Sequence, residues 1–585
     1  MLEPTGNARH PWRRHAGRGL ASAALCLALA IPSVVVRAQT AADITPPTLA
    51  PAARPLTGAV VFSGDTGLGA PEGADRLTVT IRSVTLEDGF SEMAAANRAL
   101  EERLTGRTIR VSEIFEAAQN LEAAYAEAGF VLARVVLPAQ ELRDGGSLRL
   151  VVVDGFVEAV EADSVPDPVR GRIAQVTTPL EGQRSLRLRE IERALLIAGD
   201  TYGLALDSAL ARGVGPGATR LVLGGDFRPM TGFVGFDTGY ASDLGGYSLD
   251  AGLELNGMLG WTETLYFRIS GNPGSAGVSE GLFSRTPRMR TLAAGIIAPI
   301  GTDGLTWNVE LTESRTTPRA AGVQTTSKFE RAAFRLNYPL VRSREFNVTL
   351  RASLDLQQDQ QDAIAPDGSR LPFYQDRLRV LRFGASLSRI APEGGSYLLD
   401  GTASLGLDAF GARSGTAALP LSRAGARPDF AKLDFSGRLV RPVGERLVFT
   451  LSGKAQTAFG RPLPKSEQIG LASASDLSGF ATGSLTGDSG LAVRGEMRAP
   501  FQPEGARALV TPYAFAATGI LWLHQPTALE QGRRRLSSVG VGVEILPQLN
   551  SRFASASLRL EAARGIQHGG GPDDSRVSLV GTFRF

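Results

Sequence analysis

From about Thr231 to the last residue the chain repeats one pattern: some ten residues of apolar/polar alternation, a turn, then another such segment. Leu305, Trp307, Val309 and Leu311 interleave with Thr306, Asn308, Glu310 and Thr312. Phe346, Val348, Leu350, Ala352, Leu354 and Leu356 interleave with Asn347, Thr349, Arg351, Ser353 and Asp355. Side chains alternate faces along a strand, so each segment is apolar on one side and polar on the other. The segments are long, the polar face is rich in charge, and the chain stops on Phe583-Arg584-Phe585. Apolar-out, polar-in alternation of this kind predicts a transmembrane β-barrel. At roughly 22 residues per strand and connection, the barrel region holds about sixteen antiparallel strands. Candidate strands begin near residues 233, 246, 264, 288, 305, 330, 346, 378, 397, 430, 446, 490, 509, 536, 553 and 576. The longest insertion, 460–489, falls between the eleventh and twelfth. A ring of that size is wide enough to enclose an aqueous lumen.

The texture before the barrel is different. Residues 39–75 carry Pro46, Pro47, Pro51 and Pro55 close together, a linker composition. Residues 76–155 read as a small α/β unit. It has a strand at Leu77–Ile81, a short helix at Ala94–Leu104, and a second helix capped by Ser112 with Ile114, Ala117, Leu121, Tyr125 and Ala128 on one face. Strands at Val131–Leu137 and Leu148–Val153 follow. A similar unit spans 156–225, its clearest helix starting near Ser185 with Leu188, Ile191, Leu195 and Ile197 inward. The barrel then takes 226–585.

Composition adds exclusions. Across 585 residues the formal net charge is only +3, so no nucleic-acid-binding field is implied. After the N-terminus no run of some 18 apolar residues occurs, which argues against a helical membrane span. Residues 1–38 read as a secretory signal: Arg9, Arg13, Arg14 and Arg18 precede the apolar core Leu20–Val36 and a Val36-Arg37-Ala38 cleavage site. The single cysteine, Cys26, lies in that core, so cleavage leaves a chain without thiol chemistry.

The stretch from Gly129 to Gly155, GFVLARVVLPAQELRDGGSLRLVVVDG, resembles the first POTRA domain of the two-partner secretion transporters, the TpsB proteins that export haemolysins and filamentous haemagglutinins. The residues carrying the resemblance are Phe130, Val131, Arg134-Val135, Leu137-Pro138-Ala139-Gln140, Gly146-Ser147-Leu148 and Asp154-Gly155, with Asp154 where the family usually has Glu. The second unit resembles the family through SLRLREIERAL and Pro216-Gly217. The resemblance implies an outer-membrane pore with two periplasmic POTRA domains in a Gram-negative envelope. Its partner is a large secreted β-helical exoprotein, taken up unfolded and exported without ATP. It also implies insertion into the lipid bilayer by the barrel-assembly machinery, which reads a C-terminal signal here formed by Phe583 and Phe585.

In that family a long loop carries V-R-G-Y and strand thirteen carries F-x-D-x-G, and the loop arginine pairs with the aspartate inside the barrel. Aligned through Pro464–Gln468 and Gly483–Asp488, the loop here reads Leu477-Ser478-Gly479-Phe480, and the strand reads Phe515-Ala516-Ala517-Thr518-Gly519. Both charges are missing, as Ser478 and Ala517. Arg494, in VRGEM, belongs to the following strand and is expected to face the lumen. The loop is therefore expected to enter the barrel and to be held by Gly479, Phe480 and polar contacts in place of the ion pair. The prolines of 39–75 predict that an N-terminal plug is short or absent and that 460–489 carries more of the occlusion.

Other signals carry less. Gly487-Asp488-Ser489-Gly490 looks like a protease serine, but of four histidines His10 and His15 leave with the signal, and His524 and His568 follow the serine. Two remaining histidines make a zinc site improbable. Gly213–Gly217 is a turn, not a dinucleotide loop, because no helix follows it, and no Walker loop precedes Lys454. Arg533-Arg534-Arg535 reads as a loop or headgroup-facing run. No catalytic residue, metal ligand or cofactor is expected. The competing readings are a barrel-assembly factor, whose best-known members usually carry more POTRA units, and a passive porin, which would lack both α/β units.

Overall fold

The computed structural model describes residues 39–52, 61–62, 69–274, 280–319 and 322–585; the expected signal at 1–38 lies outside them. Sixteen strands close into one antiparallel ring, each paired with its sequence neighbours and the last with the first. In order they are Met230–Asp237, Ser248–Asn256, Thr264–Gly271, Met289–Ile300, Leu305–Thr316, Gln324–Arg342, Phe346–Ile364 and Arg370–Ile390, then Ser396–Gly406, Ala431–Val443, Leu447–Thr457, Ser489–Arg498, Ala508–Trp522, Arg533–Pro547, Ser555–His568 and Asp574–Arg584. The fold class read from the alternation is the one observed.

The fifth strand shows why the pattern works. Asn308, Glu310, Thr312 and Ser314 are buried toward the lumen, while Leu311 between them is 58% exposed on the outer wall. Strands six and eight start earlier than their alternation suggested, at Gln324 and Arg370. Their first halves place Lys328, Glu330, Gln375 and Arg377 outward, so the apolar half of the signal disappears there although pairing continues. Strands six, seven and eight run 19, 19 and 21 residues and overshoot their neighbours at one end of the barrel.

The first α/β unit packs helices Ala94–Leu104 and Val111–Glu127 on a four-stranded sheet ordered 107–110, 78–87, 146–153, 134–136. The second helix starts one residue before Ser112; Glu113 accepts the Arg110 N–H at 3.1 Å, so Ser112 is not its cap. Ile114, Ala117, Leu121 and Tyr125 are buried as expected, whereas Ala128, expected on the same face, is the C-terminal cap past the last helical residue and is exposed. The strand expected at 131–137 shrinks to Arg134–Val136. In the second unit the helix spans Leu188–Gly199, starting after Ser185, and buries Ile191, Leu195 and Ile197 as expected but leaves Leu188, in its first turn, only half-buried, while Asp167–Thr177 is a helix that the sequence reading did not register. The outer edge of that sheet is taken by Val61–Phe62, pairing in parallel with Ala209 and Leu210.

Charged contacts dock the second unit onto the barrel turns at the end opposite the overshoot. Arg342 forks onto Asp200 at 2.6 and 2.9 Å, and Arg552 grips Asp207 at 2.8 Å through two nitrogens. Burial holds the Asp200 carboxyl above the usual carboxylate range, outweighing the Arg342 charge beside it. Arg193 adds a bond to Asp303 O at 3.2 Å.

Candidate functional site

Among the described residues, two segments of the chain fill the lumen. The first is residues 39–52, expected as part of a linker and instead packed inside the barrel. It begins with the single helical turn Ala41–Ile44, closed by Asp43 Oδ2 accepting the Thr40 N–H at 2.8 Å. It then runs extended, which is what Pro46, Pro47 and Pro51 favour. Wall side chains hold it largely by its main chain. Thr316 donates to Gln39 O at 3.2 Å, and Ser327 accepts from Ala41 N at 3.1 Å. Arg331 and Arg335 donate to Pro46 O and Pro47 O at 3.0 and 3.1 Å, and Glu310 accepts from Leu49 N at 2.9 Å. Glu310 is fully buried yet lies 3.1 and 3.2 Å from Arg331 and Arg335, so its charge is compensated. At the other mouth Tyr202 donates to Pro51 O, joining the segment to the second α/β unit.

The second segment is the insertion, observed as the connection 458–488, which folds back into the ring. Its base is pinned by Glu467, 1% exposed, which receives a two-pronged contact from Arg382 at 2.5 and 3.0 Å and lies 3.2 Å from Lys432. Thus the loop does carry ion pairs, at its base and through Asp476–Lys454 at 2.6 Å. Its tip is held differently. Gly479 N donates to Ser538 Oγ at 2.9 Å, and a Cβ on Gly479 would stand 2.3 Å from Gly565 N, so only glycine fits. Phe480 packs on Gly565, and Leu477 is buried in an apolar cluster with Leu471, Phe515, Ala517 and Leu536.

Arg494 has a larger part than an ordinary lumen-facing residue of strand twelve. It is 2% exposed and donates to Ser478 Oγ at 2.8 Å. It also pairs with Glu561 and Glu496, both at 2.7 Å, and stacks over the Phe515 ring at 3.5 Å. In register it sits directly across from Ala517. The loop arginine that the motif lacks is thus matched in place by a strand arginine, and the missing strand-thirteen carboxylate by Glu561 on strand fifteen. A signal existed: in VRGEMR, Arg494, Glu496 and Arg498 share one face. Their cross-strand partners needed the register. Gly519 makes room for the loop, since a Cβ there would meet Leu471 and Leu477 at 3.0 and 3.1 Å.

The motif residues of the first unit are tied into its own frame. Phe130 stacks edge-on with Phe90. Arg134 donates to Val131 O and Ala133 O, and Gln140, just after Pro138, exchanges two bonds with the Arg149 main chain at 2.7 and 3.0 Å. Asp154 accepts from Ser185 N at 2.8 Å, and Gly155 lies so close to Leu132 O that a Cβ would clash, so this pair forms the joint between the units. At the C-terminus Phe585 exchanges two main-chain bonds with Gly232, both 3.0 Å, sealing the ring where only five residues of strand sixteen pair with strand one. Phe583 faces outward, stacked on Phe585.

Two of the weaker signals turn out closer to structure than expected. Ser489 Oγ and His524 Nε2 lie 2.9 Å apart, but Asp488 accepts from the His524 main-chain N, not from its ring. Ser489 Oγ also accepts from Ala458 N, so the cluster ties loop to strand. The run Arg533–Arg535 opens strand fourteen and is not a loop; Arg534 points inward and donates to Thr486 O at 2.7 Å.

A closed sixteen-stranded ring with an apolar exterior, a self-filled polar lumen and α/β units docked at one mouth defines an outer-membrane β-barrel with periplasmic POTRA domains. Residues 225–545 match the haemolysin secretion/activation protein ShlB/FhaC/HecB model, and residues 79–155 match the ShlB-type POTRA domain. The chain belongs to the ShlB/FhaC/HecB family. No curated protein matches it in sequence. Among solved structures it resembles CdiB from Escherichia coli, at 21% identity and TM-score 0.66, over 91% of this chain and 94% of that one. CdiB from Acinetobacter baumannii follows at 15% identity and TM-score 0.57, over 91% and 95%. BamA from Haemophilus ducreyi lacking POTRA domains 1–3 matches at 14% and 0.51, over 87% and 100%, a likeness of fold. The chain is an outer-membrane transporter of the secretion type, and the barrel end away from the POTRA domains faces the cell surface.

Proposed function

We propose that this transporter takes an unfolded partner exoprotein from its POTRA units and passes it through the lumen to the cell surface without nucleotide hydrolysis. The observation that carries the reading is the lumen wall itself. Thr316, Ser327, Arg331, Arg335 and Glu310 hold residues 39–49 chiefly by main-chain groups, and a wall of that kind suits an extended chain of any sequence. The strand edges at Arg107–Arg110 and Arg134–Val136 of the first unit suit capture of such a chain by β-augmentation. The loop tip at Leu477–Phe480, with Arg494, Phe515, Ala517 and Gly519, acts as the latch that keeps the resting lumen filled.

The test co-expresses a candidate large β-helical exoprotein, stalled in transit by a folded C-terminal fusion. A photoreactive residue at Thr312, on the lumen face beside Glu310, crosslinks the stalled cargo; the same residue at Leu311, one position along and facing lipid, does not. Secretion without a crosslink at Thr312, or equal crosslinking at both positions, rules the path out.

A further inference from the structure

The outer wall carries a feature that transport does not use. Over strands three to eight an external groove of about 740 Å³ runs beside Phe267, Leu292, Leu311 and Leu356, with the small Ala294 and Ala332 in its floor. Strand register fixes what lies above it. Ala294, Leu311, Ala332, Leu356 and Arg379 form one outward row. The next row toward the cell surface is Leu292, Glu313, Glu330, Gln358 and Arg377, and the one after that is Arg290, Arg315, Lys328, Gln360 and Gln375. Arg379 and Leu292 apart, the wall therefore changes from apolar to polar or charged within one step of the ladder, at the cell-surface rim of the membrane band.

The charges on this rim do not balance. Glu313 pairs with Arg290 and Arg315, and Glu330 with Lys328. Arg377 and Arg379 remain, two apart on one strand face, both lining the groove and neither with a carboxylate. Arg379 donates to Phe410 O and Leu378 O, and the Arg377 side chain has no hydrogen bond or ion pair among the described residues. Two adjacent guanidinium groups over an apolar trough match an anion joined to an alkyl chain. We propose that this groove binds a phosphorylated, acylated glycolipid of the outer leaflet, of the lipid A class, with one acyl chain along Ala294 and Ala332 and a phosphate on Arg377 and Arg379. The location selects this source, because the rim lies on the cell-surface side, where such glycolipids form the leaflet.

Native mass spectrometry of the purified full-length chain tests it, with deep-rough lipopolysaccharide, its dephosphorylated form and phosphatidylglycerol as probes. The phosphorylated glycolipid stays bound, and its affinity falls at least tenfold on dephosphorylation, in the Arg377→Gln/Arg379→Gln double variant and in Ala332→Trp. Arg389→Gln, outward at the opposite rim, leaves it unchanged. Both glutamine changes lie on an exposed face, and heat-modifiability confirms the barrel; if Ala332→Trp does not fold, the glutamine pair decides alone. Undiminished binding by the double variant, or equal binding of the dephosphorylated lipid or of phosphatidylglycerol, overturns the assignment.

Discussion

Around Ser478 the arrangement rests on a single guanidinium serving four neighbours at once, and that constrains what can change. An arginine introduced at Ser478 would stand beside Arg494, whose partners Glu496 and Glu561 are already shared with Arg498 and Arg559. An uncompensated charge in such a confined site costs about 3–5 kcal/mol. Ser478→Arg is therefore expected to lower the yield of heat-modifiable barrel and cargo secretion. The exchange Ser478→Arg with Arg494→Ser, which moves the charge back onto the loop, recovers most of the loss. Full function in Ser478→Arg alone would refute the coupling. The absence of charge at Ser478 and Ala517 was readable from the motif. The replacement by Arg494 and Glu561 was not, because they lie 67 residues apart and meet only through barrel register.

Strands were the most legible elements, since lipid outside and polar lumen inside impose a period of two on every crossing. The N-terminal turn was the least legible. Its anchors are wall residues more than 260 positions away, and nothing local in a proline-rich stretch announces them. The two lumen segments also differ in how firmly they are held. The thread rests on mostly single hydrogen bonds, some of them to the charged Arg331, Arg335 and Glu310 but none a salt bridge among the described residues, whereas the loop has Glu467 clamped by Arg382 and a glycine contact at Gly479 with no room for a methyl. Deleting residues 41–51 is accordingly expected to raise single-channel conductance less than Glu467→Ala combined with Gly479→Ala does. A larger jump from the short deletion would reverse that order. At the seam, deleting Phe585 removes both main-chain bonds to Gly232 beside a pairing of only five residues, so insertion into the outer membrane should drop. Unchanged levels of heat-modifiable barrel in the truncated protein would contradict this.

At the scale of the whole molecule, one chain serves as wall, filling and docking platform. Residues 39–52 cross the lumen, Pro51 meets Tyr202 at the periplasmic mouth, and Val61–Phe62 then completes the edge of the second POTRA sheet. A movement of that unit on its Arg342–Asp200 and Arg552–Asp207 contacts is thus tied by a short length of chain to the thread inside the pore. The uneven height of the barrel has a separate consequence. At about 3.3 Å per residue and a tilt of about 40°, a strand of 19 residues climbs roughly 45 Å, against a membrane band of about 25 Å. Strands six to eight therefore stand as a one-sided palisade roughly 20 Å above the bilayer. On the proposed export path, a polypeptide emerging along that side would keep a wall beside it for this height and meet open space only on the opposite, lower flank, so its first fold would form on that flank of the rim.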